Sequence, residues 1–172
     1  MGIDLSRFRD EAVSSIPIKG KTEGEDLDIR GRKIKFLEPI KYNGEIYRVD
    51  GDRLLHLDII YKYREACGRC LEPFVGEGET TLTAKLVEKI DNAIEKEEEN
   101  EDTIYYIDEE LDLQEYVMNT VILALPMKPL CNEDCKGLCP RCGTNYNRTK
   151  CDCVIEEIDP RFEKLKNFFP NE

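Results

Sequence analysis

The residues of this chain best suited to chemistry are its eight cysteines, which fall into closely spaced pairs. Thiolates spaced this way suit the tetrahedral coordination of zinc, because each pair fills two of the four corners and two pairs complete a site. A reducing compartment keeps such thiols free for metal rather than for disulfides. The pattern therefore predicts two structural zinc ions, and the expected ligands are Cys67, Cys70, Cys131, Cys135, Cys139, Cys142, Cys151 and Cys153.

The last four cysteines are expected to form one local site. Cys139 and Cys142 enclose a knuckle typical of zinc ribbons. Gly143 follows it and can take the positive φ that turns backbone N–H groups toward the sulfurs. The nearest remaining pair is Cys151 and Cys153, which would complete this site.

The other expected site is long-range. Cys131 and Cys135 are left to join Cys67 and Cys70, and this would close a loop of roughly 60 residues and stabilise the fold. Two other divisions of the sulfurs stay open. Cys135 could join the ribbon-like knuckle with Cys131 idle, or the sulfurs could form a binuclear cluster.

Nothing in the sequence indicates a catalytic centre. A catalytic zinc usually keeps an open position and has His or carboxylate ligands, and the one histidine, His56, falls in a predicted strand. A thioredoxin-like role for the first Cys-x-x-Cys needs a βαβ unit, whereas its flanks indicate antiparallel strands. We therefore expect a protein that is not an enzyme and has no small-molecule substrate. The rival hypothesis is a redox- or zinc-sensing protein whose cysteine pairs oxidise reversibly and release metal.

Charge and hydropathy restrict the partners. The chain has 172 residues, of which 40% are apolar, and its net charge is −12. Non-specific binding to nucleic acid depends on neutralising phosphates, so an acidic chain would need a local contact or a basic partner. No apolar run is long enough to cross a membrane, and the N-terminal residues lack the apolar core of a secretory signal. We expect a cytoplasmic protein that does not contact membranes.

Basic residues gather near the sulfurs in spite of the acidic composition. They either balance the thiolate charge or contact RNA or a ribosomal protein. Tyr146 among them could stack on a base, or it could equally pack within the ribbon-like module. The residues expected at such a contact are Arg69, Lys136, Arg141, Tyr146, Arg148 and Lys150.

Most of the chain before residue 90 is predicted to form an antiparallel meander. Residues 14–31 are polar and predict loops or a short edge strand. Asn43-Gly44 is the strongest short hairpin signal, and Asp50-Gly51 predicts a further turn. Residues 55–63 alternate apolar and polar side chains, as does a half-buried strand, and a further strand covers residues 74–87. The first Cys-x-x-Cys then lies in the turn between these two strands.

The predicted fold class is α+β, with this sheet packed on one core helix and a cysteine-rich zinc module near the C-terminus. Asp112 is expected to cap the core helix and Pro126 to end it. The acidic residues 88–102 predict a solvated linker, and a short strand is predicted at 104–107. Asp159 could cap a last helix. We place the domain boundary between residues 1–126 and 127–172.

Several of these motifs together resemble a known family. Cys67-Gly68-Arg69-Cys70-Leu71-Glu72-Pro73-Phe74 is similar to the Cys-x-Arg-Cys-Leu-x-Pro-Phe signature of the YceD-like proteins, which support accumulation of large-subunit ribosomal RNA. Further matches follow in the same order along the chain. They are Leu123-Ala124-Leu125-Pro126, the cysteine cluster with Asn145-x-Asn147, and the closing Asp159-Pro160-Arg161-Phe162.

This resemblance implies a bacterial or organellar ribosome-biogenesis factor needed for accumulation of 23S rRNA. It supplies no catalytic residues, and it leaves the direct partner open between pre-ribosomal RNA and a large-subunit ribosomal protein. Some members of the family lack the last four cysteines, which favours two separable metal sites.

Overall fold

The structure is a computed structural model that describes residues 2–89 and 103–153. These residues form nine strands, a short 3₁₀ helix (Ser6–Arg9) and one α-helix, α1 (Gln114–Ala124). The strands are β1 (Ile3–Asp4), β2 (Ser15–Thr22), β3 (Leu27–Ile29), β4 (Arg32–Phe36), β5 (Ile40–Val49), β6 (Asp52–Ala66), β7 (Pro73–Glu88), β8 (Thr103–Tyr106) and β9 (Glu110–Leu111).

The sheet is built around β6, its central strand. One edge of β6 pairs antiparallel with β7 along almost its whole length, and the other edge pairs first with β5 and then with β4. Strand β2 extends the sheet beyond β5, and β8 extends it beyond β7 in parallel. The predicted Asp50-Gly51 turn is confirmed, with φ of 51° and 90° at its two residues. The predicted fold of mostly antiparallel strands with one helix is therefore confirmed for the described residues.

The core lies on one face of β6. The predicted alternation is confirmed, because five alternate side chains of this strand are buried, each at most 4% exposed: Leu55, Leu57, Ile59, Tyr61 and Tyr63. Val117 and Val121 of α1 are fully buried in the same apolar cluster. Burial of each such side chain contributes about 1.5–3 kcal/mol, so this face supplies much of the driving force for folding.

The Asn43-Gly44 hairpin prediction is wrong. Strand β5 runs through both residues without a turn, and Gly44 lies opposite Leu57 of β6. A Cβ atom on Gly44 would overlap the carbonyl oxygen of His56. The glycine therefore permits close approach of two strands, and both halves of β5 pair with β6 rather than with each other.

The N-terminal residues are more ordered than their sequence indicates. Strand β2 is an edge strand, as one of the two predictions for residues 14–31 had it, but it is long: it has eight residues and pairs with β5 along its whole length. Ile16 and Ile18 are buried on its inner face. Pro17 between them obscures the pattern, but an edge strand tolerates a residue without an N–H group.

Helix α1 begins and ends close to its predicted bounds. The N-cap position is Leu113 rather than the predicted Asp112, and its side chain forms no capping hydrogen bond. Asp112 Oδ1 nevertheless accepts a hydrogen bond from the backbone N–H of Gln114 at 3.0 Å, which satisfies one free donor of the first turn. The helix ends at Ala124, ahead of Pro126. The predicted strand at 104–107 corresponds to β8. The predicted C-terminal helix and most of the acidic segment lie outside the described residues. Within the described ranges, no helix has the length and hydrophobicity needed to span a bilayer.

Candidate metal centre

The eight cysteines come together as two groups of four sulfurs, and within each group all sulfurs lie within 4.8 Å of one another. We call them the first site (Cys67, Cys70, Cys131, Cys135) and the second site (Cys139, Cys142, Cys151, Cys153). The structure thus groups the sulfurs in the division that the spacing favoured. Neither the grouping of Cys135 with the ribbon-like knuckle nor a binuclear cluster is present among the described residues.

The sulfur separations of the first site fit a tetrahedral metal. Zinc with Zn–S bonds of about 2.3 Å sets its sulfurs about 3.8 Å apart. Here the Sγ atoms of Cys67 and Cys135 are 3.8 Å apart, and those of Cys70 and Cys131 are 3.7 Å apart. A cavity of this size, lined by four thiols that form no disulfide, suits zinc in a closed structural site.

The first site joins distant parts of the chain. Cys67 and Cys70 lie in the turn between β6 and β7, as predicted, and are 0% and 4% exposed. Their partners follow α1, beyond the expected domain boundary at residue 126. Gly68 N donates to Pro129 O at 2.7 Å, and Arg69 N donates to the Cys67 sulfur at 3.4 Å. Backbone contacts therefore hold the turn against the segment that brings in the other two sulfurs.

The second site is local and more open. Cys139 is buried, Cys142 is exposed, and Cys151 and Cys153 are half-buried. Gly143 has the expected positive φ, 73°, and its N–H donates to the Cys139 carbonyl at 2.9 Å. This hydrogen bond closes the knuckle and holds its two sulfurs on the same side.

The thiols of the second site perturb one another. The Tyr146 hydroxyl and the Cys142 backbone lower the pKa of Cys139 to about 6. Contact with the Cys142 thiol raises the pKa of Cys153 to about 12. Like charges this close cannot all form without a cation, so four thiolates require a bound metal to neutralise them.

Two adjacent residues support the two sites. Asn147 Nδ2 donates to the Cys135 sulfur at 3.3 Å, and this hydrogen bond lowers the pKa of Cys135. Asn147 Oδ1 also accepts from Lys136 N at 2.8 Å. The Tyr146 hydroxyl lies 3.6 Å from the Cys151 sulfur. Such contacts orient metal ligands. For Tyr146 the sequence left stacking on a base and packing in the ribbon equally open, and the contact with Cys151 favours packing. Asn147 had no predicted role outside the Asn-x-Asn match.

The other predicted contact residues surround the sites in different ways. Arg69 is exposed, yet its Nη1 donates to the carbonyl oxygens of Glu133 and Cys135, which holds the first site together. Arg148 pairs with Glu72 at 3.1 Å on the surface. The remaining three are exposed: Lys136, Arg141 and Lys150. His56 lies on β6 with its Nδ1 3.0 Å from Thr83 Oγ1 and belongs to neither sulfur group.

Comparison with known proteins gives the family. Residues 55–169 match the family described as large ribosomal RNA subunit accumulation protein YceD. An uncharacterized protein of Mycobacterium tuberculosis is 37% identical over 99 residues, which cover 58% of this chain and 47% of that protein. The chloroplastic large ribosomal RNA subunit accumulation protein YCED homolog 1 of Arabidopsis thaliana is 36% identical over 69 residues, covering 39% of this chain and 22% of that protein.

The matches cover about half or less of most of these longer relatives, although a protein of Mycobacterium leprae matches at 29% identity over 60% of its length. No solved structure matches the chain significantly. The matched region contains all eight cysteines and both of the supporting residues beside them. The chain belongs to the YceD family of large ribosomal RNA subunit accumulation proteins.

Proposed function

We propose that this protein is a non-enzymatic ribosome-biogenesis factor that supports 23S rRNA accumulation and assembly of the large subunit. The observation that carries the proposal is the family match over a region that contains both groups of four sulfurs. The relative from Arabidopsis is itself named for accumulation of large-subunit ribosomal RNA. The protein would act in the cytoplasm, where ribosomal subunits assemble in bacteria.

In this proposal each sulfur group binds one zinc ion, and both ions are structural. Four thiolates fill the coordination shell, so neither metal keeps the open position that activates water or polarises a substrate. The first zinc would fix the β6–β7 turn to the segment after α1. The second would order the ribbon-like knuckle. The metals would thus hold a binding surface in shape rather than take part in a reaction.

The direct partner would be pre-ribosomal RNA or a large-subunit ribosomal protein. The net charge of −12 disfavours extended contact with RNA and suits a basic ribosomal protein. The exposed Lys136, Arg141 and Lys150 beside the sulfurs would suit a local contact with RNA. Purification of the protein from cells with and without ribonuclease distinguishes the two partners, since only an RNA-mediated association is lost on digestion.

Depletion tests the function itself. We expect the ratio of 23S to 16S rRNA to fall and large-subunit precursors to accumulate on sucrose gradients. The wild-type chain should restore both, whereas Cys131→Ser, which removes one ligand of the first site, should restore them poorly. An unchanged rRNA ratio after depletion would contradict the proposal.

The alternative function is redox or zinc sensing, and the openness of the second site favours it. Cys142 is exposed, and an accessible thiolate is the form that oxidants attack. Mild peroxide would then convert two thiolates to a disulfide as the peroxide is reduced to water, and zinc would be released. Retention of both zinc ions under that treatment, followed with a chromogenic chelator, would eliminate this alternative.

A further inference from the structure

A cavity lies beside the first site, where β4 begins and β6 ends. Its volume is about 630 Å³, within the range of about 300–1,000 Å³ typical of small-ligand sites. Residues 67–69 of the β6–β7 turn line one part of it and residues 127–130 another. The hydrogen bond from Gly68 N to Pro129 O joins these two walls. The cavity is therefore bounded by the same two segments that the first site brings together, and Cys67 of that site lines it.

The lining of the cavity is positively charged. Four cations line it, and Glu65 is the acidic residue among them: the cations are Arg32, Lys33, Arg69 and Lys128. Neither Lys33 nor Lys128 forms an ion pair within the described part of the chain. In a protein whose net charge is −12, this local excess of positive charge selects an anionic occupant.

Arg32 is held in place by a buried carboxylate. Its Nε and Nη2 both donate to Glu65 Oε2, at 3.3 and 2.8 Å. The Glu65 side chain is 2% exposed and that of Arg32 is 30% exposed. The buried carboxylate therefore fixes the guanidinium, while part of the Arg32 side chain stays accessible to solvent. A fixed, planar guanidinium is a surface on which a nucleobase can stack.

Apolar side chains complete the cavity. Leu71 and Met127 line it and are 66% and 93% exposed, so their apolar surface is accessible to a ligand. Apolar side chains and an anchored guanidinium beside free lysines match a ligand that combines a flat ring with negative charge. A nucleotide has both features, whereas an acidic peptide brings charge without a ring system.

We infer that this cavity binds one unpaired nucleotide of RNA. The base stacks on the Arg32 guanidinium against Leu71 and Met127, and the flanking phosphates contact Lys33 and Lys128. Single-stranded RNA is the expected form, because a base must leave its helical stack to enter a cavity. The inference rests on the proposed function and names RNA as its partner.

Charge reversal tests the phosphate contacts. The probe is a fluorescently labelled single-stranded RNA oligonucleotide of mixed sequence, with anisotropy measured over a range of salt concentrations. In Lys33→Glu/Lys128→Glu we expect binding about tenfold weaker or more, and a salt slope smaller by about 1.4, because each phosphate contact to a single strand contributes about 0.7. The matched control is Lys19→Glu/Lys21→Glu on β2, which changes the net charge equally and should leave the slope unaltered.

Substitution of the planar group tests the stacking. Arg32→Lys keeps the charge and removes the plane, so we expect RNA affinity to fall about 5- to 100-fold with the salt slope unchanged. Circular dichroism must show that this variant remains folded. If it binds RNA as tightly as the parent, the stacking inference is wrong. A duplex RNA of the same sequence should bind more weakly than the single strand, and equal binding would also overturn the inference.

Two further outcomes separate this inference from the proposed function. If a glutamate-rich peptide competes for the cavity as well as RNA does, the partner is a protein and the inference fails. If neither lysine variant changes RNA affinity but the protein still associates with large-subunit precursors, the inference fails and the proposed function stands. If the parent protein does not associate with large-subunit precursors, both the inference and the proposed function fail.

Discussion

Under the proposed zinc binding, the two sulfur groups should differ in how much they stabilise the fold, and two matched variants measure the difference. Cys131→Ser removes a ligand of the first site and Cys142→Ser removes one of the second. Both cysteines are exposed, so neither change disturbs the core directly. Urea unfolding in excess zinc then compares the two losses, with bound metal measured to verify that each variant has lost one ion.

The magnitude of the difference follows from the length of the loop that each proposed zinc ion would close. Zinc stabilises the fold only to the extent that it binds the folded chain better than the unfolded one. Cys70 and Cys131 are 61 residues apart, whereas the second site spans roughly 10 residues between its pairs, and closure cost grows as (3/2)RT ln n. In the unfolded chain, the loop-closure free energy needed to bring the first site's ligands together therefore exceeds that of the second site by about 1.6 kcal/mol.

We expect the free energy of unfolding to fall about 1.6 kcal/mol further in Cys131→Ser than in Cys142→Ser. For a chain of this size the corresponding difference in Tm is about 3–6 °C. Equal losses, or a greater loss in Cys142→Ser, would mean that the first site does not act as a long-range connection between the β6–β7 turn and the segment after α1.

Three further substitutions test the local contacts. Asn147→Ala should weaken zinc binding at the first site about 10- to 100-fold, because it removes the hydrogen bond to the Cys135 sulfur; competition with a chromogenic chelator measures this. Tyr146→Phe should weaken the second site in the same assay and leave the first unchanged, and the reverse pattern would contradict these assignments. Gly44→Ala should destabilise the fold by about 1–3 kcal/mol in urea, because its Cβ would overlap the His56 carbonyl oxygen and force β5 from β6; an unchanged midpoint would show that the strands can separate freely.

The central strands could be predicted because their sequence pattern and their environment agree. Five apolar side chains at alternate positions of β6 face one core, so local periodicity and tertiary burial give the same answer. Asn43-Gly44 shows the opposite case. The dipeptide favours a turn locally, but pairing of β5 with strands on both sides outweighs that preference.

The two sulfur groups could be predicted from the sequence because the spacing of cysteine ligands reflects the geometry of metal coordination. The supporting contacts were not. Asn147 reaches the Cys135 sulfur only because the chain folds back after the knuckle, and no spacing rule indicates that approach. The cavity could not be predicted either, since Arg32 and Met127 are distant in sequence and only the tertiary fold places both in its lining.

Native mass spectrometry of the untagged protein counts the metal ions bound to the folded chain and so shows whether both sulfur groups bind zinc. The account predicts two zinc ions in the parent protein, and one in each of Cys131→Ser and Cys142→Ser. A parent with one zinc ion, or with none and disulfides in place of thiols, would contradict the two-site account and favour the redox alternative.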